Sequence, residues 1–260
     1  MIWSTNEVVL FLAAVAVFLA VQTLGFRLGL KDTDNVDGDA KAHVHSLQNA
    51  ALGLLALLLG FTFAMAVQRF DNRKQLVLEE ANAIGTAYLR SKMLPPALAA
   101  ESARLYRELA GVRLAFYQAG VDPPKLTEAN NASGRIESRL WALALEASAA
   151  DPKSVTSGLY VDALNGVIDV HEKRRVALEN HVPEAVIALV FAVTAVALGI
   201  TAYGCGLSRR RRFRSNALFA VMIALVLTVI LDVDRPRRGV VQVSEASLER
   251  LKAQLDAEVK

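Results

Sequence analysis

Glu79 and Glu80 stand side by side in EEANAIGTA, a segment otherwise made of small and apolar residues. Adjacent carboxylates on a helix, repeated around an oligomer axis, would form an acidic ring at the vestibule of an ion path. The same spacing also suits a tightly packed bundle helix in which one of the two pairs with an arginine or lysine. Ala81 and Gly85, and Ala83 and Ala87, are four residues apart and would let another helix backbone approach closely. A second cluster, Asp232, Asp234, Arg235 and Arg237 in LDVDRPRRG, follows an apolar run. A lone carboxylate at the end of a membrane helix is costly, so Asp232 is expected to have a basic partner. Arg69, Arg73, Arg235 and Arg237 are the nearest by chain position. An ion or proton path through this motif is the sharper alternative. Third, Phe61 and Phe63 lie in an apolar stretch where rings from several copies would form a constriction that excludes water. Packing or lipid contact is the plainer use of such residues.

No nucleophile–base pair, phosphate-cradling glycine loop or metal-spaced cluster accompanies these groups, so an enzyme is disfavoured. Asp32, Asp34, Asp37 and Asp39 form an acidic run that resembles part of a calcium loop. Thr33 and Val44 stand where such a loop requires its first ligand and its closing glutamate, so a cation there is weakly supported and no cofactor is expected. His43 and His45 lack further nearby ligands. A net charge of +3, with the arginines beside apolar runs, gives no case for nucleic acid. The single cysteine, Cys205, excludes an intrachain disulfide and reads as a small packing residue.

These residues are carried by a chain of 260 residues that is 53% hydrophobic, too apolar for an ordinary soluble domain of this size. Four runs approach or reach membrane length: Val8–Phe26, Leu47–Val67, Ala185–Leu207 and Ala217–Leu231, the last needing Asp232 and Val233 to complete a crossing. The first lacks the basic flank and cleavage site of a signal peptide and reads as a retained helix between Trp3 and Arg27. Ser46 is the expected N-cap of a rod running without proline to Lys92, roughly 65–70 Å if it is one helix.

Pro95-Pro96 then opens a helix over 97–119, with Leu98, Leu105, Leu109, Val112 and Phe116 on one face. Further helices are expected over 127–149 and 154–180, separated by Pro-containing turns. The tail carries Leu248, Leu251 and Leu255 at the spacing of a short amphipathic helix. The fold class is therefore all-α: a polytopic membrane protein with four transmembrane helices and an extramembrane helical bundle between the second and third. By residue the division is 1–68, a transmembrane pair with acidic linker 28–46; 69–182, the helical insert; 183–233, a second pair with an arginine-rich link over 208–215; and 234–260, the exit motif and tail.

Arg209, Arg210, Arg211, Arg212 and Arg214 crowd a short link, and the positive-inside rule places such links in the cytoplasm. The insert, the N-terminus and the tail would then lie on the far side. Arg69, Arg73, Lys74, Lys173–Arg175, Arg235, Arg237 and Arg238 argue the other way.

LLGFTFAMAVQRFDNRKQLVLEEANAIGTAYLR, together with LDVDRPRRG, resembles the bestrophin-like domain family of bacterial membrane proteins, over nearly the whole chain. That family is distantly similar to bestrophins, oligomeric anion channels whose second membrane helix lines the pore. The resemblance implies a multi-pass protein of the bacterial cytoplasmic (inner) membrane. It also implies a homo-oligomer in the bilayer and conduction of inorganic ions along the 46–92 helix. Bestrophins hold the insert and both termini in the cytoplasm, opposite to the orientation read from the arginine link. The alternative function is a non-conducting membrane scaffold or sensor whose insert binds a partner or signal.

Overall fold

The computed structural model describes residues 6–210 and 212–258; Trp3 and Arg211 lie outside them. The described residues form eight helices and no strand: α1 Glu7–Asp32, α2 Gly38–Ser91, α3 Pro96–Gln118, α4 Pro123–Ala150, α5 Val155–Glu179, α6 Glu184–Leu207, α7 Phe213–Asp234 and α8 Ala246–Ala257. Four helical stretches, carrying α1, α2, α6 and α7, are long and apolar enough to cross a membrane.

Local chemistry explains the helix ends. The Asn6 side chain accepts from the Val8 N–H at 2.8 Å and caps α1. Asp37 does the same for α2, accepting from the Ala40 N–H at 2.8 Å. The rod thus begins eight residues before the expected Ser46, whose hydroxyl instead donates to the Ala42 carbonyl inside the helix. At α4, Asp122 accepts from the Lys125 N–H, and the two prolines occupy the first turn, where a missing N–H costs nothing. The expected turn at Asp122-Pro123-Pro124 is therefore a helix start. Gly120, at φ 56°, ends the preceding segment in the left-handed region that glycine adopts without strain.

The chain divides into two compact units. The first holds Met1–Gln68 and His181–Arg235; the second holds Arg69–Asn180 and Pro236–Lys260. In the first, α1 packs against α6 and α7, and Phe18, Leu55, Val190, Leu198, Ala220 and Leu227 form its core. Glycines set the α1–α6 distance. A Cβ at Gly25 would collide with the Gly199 carbonyl, one at Gly29 with the Tyr203 carbonyl, and one at Gly206 with the Phe26 carbonyl. Helices in lipid gain little from hydrophobic burial against each other, so such backbone approach is a main source of their association.

In the second unit, α3 packs on α4 and α8, and α4 on α5. The charged half of α2 contributes Val77, Ala81, Ile84, Ala87 and Tyr88 to the core, alongside Leu105, Leu109, Leu140, Leu164 and Val167. Leu248, Leu251 and Leu255 of the tail helix are buried in the same core, which makes residues 236–258 part of this bundle and not an appendage.

Candidate functional site

In the apolar half of α2, Leu55, Thr62 and Ala66 are buried, a stripe at helical spacing that faces the first unit's interior. Outside that stripe much of the helix is uncovered. Leu54, Leu57, Phe61 and Phe63 are all exposed in the protomer, the two phenylalanines by 62% and 44%. Cβ atoms added at Gly53 or Gly60 would meet nothing within 4 Å. Phe61 and Phe63 are thus available to lipid, to a second copy or to a lumen.

The two vestibule carboxylates separate. Glu79 is exposed and its carboxylate accepts from Gln75 at 3.4 Å. Glu80 is fully enclosed, which removes it from any water-lined surface of the protomer. Its Oε1 lies 3.1 Å from Arg113 Nε, and its Oε2 meets Arg174 Nη1. Arg113 also binds Glu137 at 2.5 Å and contacts His171 Nε2 at 3.1 Å. The reason is the register of α2, since Arg73, Val77, Glu80, Ile84 and Ala87 form its buried stripe in the second unit. Burial, and next the charge of Arg113, push His171 down to about 4, so its ring is neutral at physiological pH.

Reading by apolar periodicity alone passed over Arg113 and Arg174. Arg113 lies four residues after Leu109 and three before Phe116, inside the apolar face of α3. Arg174 lies seven after Val167 on the buried face of α5. A basic residue at a core position of an amphipathic helix was the available signal.

At the exit motif, Asp232 is buried in the last turn of α7. The Asp234 carboxylate accepts from the Val182 N–H at 2.8 Å and lies 3.5 Å from His181 Nδ1. Arg235 pairs with Glu7 at 3.1 Å, fastening the end of α7 to the start of α1. Arg237 belongs to the second unit and donates to the carbonyls of Phe116 and Gly120. Arg73 donates to the carbonyls of Ala177 and Asn180, and Arg69 is half-buried.

In the arginine link, Arg209 pairs with Asp34 at 2.6 Å, and Arg210, Arg212 and Arg214 are exposed. The acidic run is dispersed: Asp32 accepts from the Tyr203 hydroxyl, Asp34 is paired and Asp37 caps α2. Among the described residues no three His, Cys, Asp or Glu side chains gather as a metal site.

A family model described as the Bestrophin-like domain matches residues 10–248. Two crystal structures of a bacterial bestrophin homologue from Klebsiella pneumoniae, each with a point mutation, are similar in fold at 12% identity. Their TM-scores are 0.66 and 0.67, with 96% of this chain covered in both and 99% and 98% of theirs. A further crystal structure, described as a membrane protein variant, gives 0.66 at 13% identity over 93% of this chain and 97% of that one. No curated protein matches the sequence.

Proposed function

The chain belongs to the Bestrophin-like domain family, and from that premise we propose that it is a subunit of a homo-oligomeric ion channel in a bacterial inner membrane, with α2 lining the pore. The observation that carries this reading is the uncovered face of α2. A 54-residue helix buries one broad face and leaves Leu57, Phe61 and Glu79 exposed outside it. Phe61 supplies an apolar ring position, and Glu79, not Glu80, supplies the accessible carboxylate.

A constriction of this kind gates by excluding water. Reconstituted in planar bilayers at matched protein density, Phe61→Ala is expected to raise basal conductance over the unaltered protein. Glu79→Gln is expected to change the cation-to-anion permeability ratio measured from reversal potentials. Silence of every variant at both polarities, with and without calcium, would transfer the role to a non-conducting scaffold or sensor.

Four crossings put the arginine link and the segment between α2 and α6 on opposite sides of the membrane. The charge of the link places it in the cytoplasm. Reporter fusions at Ser208 and Gly120 are expected to be active on the cytoplasmic and periplasmic sides respectively. The reverse pattern would establish the bestrophin orientation, with the insert in the cytoplasm.

A further inference from the structure

Three guanidinium groups line one cavity of about 260 Å³ within the second unit: Arg73 from α2, Arg174 from α5 and Arg237 from the segment before α8. Arg174 is 3% exposed. One of its nitrogens, Nη1, meets Glu80, while its Nε is buried and makes no hydrogen bond among the described residues. Arg237 is held by two neutral carbonyl oxygens, at 3.3 and 3.1 Å. Consecutive aromatic rings fix both groups in place. Arg174 lies 4.3 Å from the Tyr117 ring centroid and Arg237 lies 4.2 Å from that of Phe116.

Among the residues lining the cavity, bases outnumber acids. Glu245 is the acid that lines the cavity beside the three arginines, and it forms no ion pair among the described residues. Burial raises its carboxyl above the ordinary range, against the pull of Arg174 and Arg237. Burial, and next the charge of Arg237, pull the Arg174 guanidinium down to about 9. Arg174 commits Nη1 to Glu80 but not its Nε, and Arg237 is held by neutral carbonyls, so both guanidinium groups border the cavity with donors that a bound anion can take up. Planar forks with unused N–H groups match the oxygens of a phosphate or carboxylate, and they match a spherical ion less well.

The geometry points to a binding site for a small soluble oxyanion of the phosphate class, held by Arg174 and Arg237 with Arg73 at the wall, inside each protomer and separate from the face of α2 assigned to the pore. Its ligand is taken up whether or not the assembly conducts.

The probe is inorganic phosphate, added to the full-length protein in detergent and compared with chloride at equal ionic strength. Saturable binding by calorimetry, with a matching rise in melting temperature, is the expected result. Arg237→Gln should weaken phosphate binding roughly tenfold, as for loss of a charge-assisted pair. Glu245→Gln should strengthen it about threefold by removing a like charge from the wall. The opposite signs keep the test decisive even if one variant folds poorly. No saturable response beyond that of chloride would overturn the site. So would a Glu245→Gln variant that melts lower and loses the phosphate response, since Glu245 would then be the internal counter-ion. Binding to phosphatidic acid in nanodiscs without any response to inorganic phosphate would also overturn it, assigning the arginines to a lipid headgroup.

Discussion

Glu80→Ala is expected to leave little folded protein, whereas Glu79→Gln, one residue away, should melt with the unaltered chain. Glu80 is wholly enclosed and is shared by two arginines that are 1% and 3% exposed. Removing its carboxylate would leave Arg113 with Glu137 alone and Arg174 with no ion-pair partner in contact among the described residues. A buried charge cannot recover its hydration without opening the bundle, so the typical cost is ~3–5 kcal/mol. That is a large part of the roughly 5–15 kcal/mol that holds a domain together. Glu80→Gln keeps the shape but only one acceptor oxygen for the two guanidinium groups, and should fall between the two. Glu79, exposed and hydrogen-bonded to Gln75 at 3.4 Å, should change stability by less than about 0.5 kcal/mol. Melting temperature and monodisperse yield in detergent measure the series. Equal values for Glu80→Ala and Glu79→Gln would mean that the cluster does not hold the bundle.

The contrast between those neighbours marks what the sequence could convey. Helix positions followed from apolar periodicity and proline placement, because both act locally. The four membrane-length runs, the leucines of the tail and the stripes through Leu105, Leu140 and Leu164 all lie where that periodicity puts them. Which of two adjacent glutamates points inward depends on phase. A stripe fixed by Val77 and Ile84 includes position 80 and excludes 79, so the buried acid could have been chosen from the same pattern. Its partners could not, since Arg113, Glu137, His171 and Arg174 come from three other helices, and only the packing of α3, α4 and α5 brings them together. The start of α2 was missed for a different reason. Asp37 and Ser46 are both good caps, and the choice between them depends on whether HVH continues the helix, which intrinsic propensity leaves nearly neutral.

The glycines of α1 carry the second large expectation. Gly29→Ala, a change of one methyl group, should lower the melting temperature sharply, and Gly25→Ala should do likewise. At both positions the added carbon would meet backbone, the carbonyls of Tyr203 and Gly199. A side chain can rotate away from an intruding methyl, but a helix carbonyl moves only with its helix. Relief would therefore require α1 and α6 to separate along their contact, giving up packing and the hydrogen bonds from Thr33 to Gly206 and from Tyr203 to Asp32. Overpacking of a tight core costs about 1–3 kcal/mol even where side chains can adjust, and these sites lie at or above the top of that range. Gly53→Ala and Gly60→Ala in α2 supply the control. They meet open space in the protomer, so alanine should be neutral there, or stabilising by roughly 0.5–1 kcal/mol through its better helix propensity. Thermal melting of the four variants in one detergent compares them directly. If Gly29→Ala melts with Gly60→Ala, the α1–α6 contact is slack enough to admit a methyl group, and glycine is not what sets its distance.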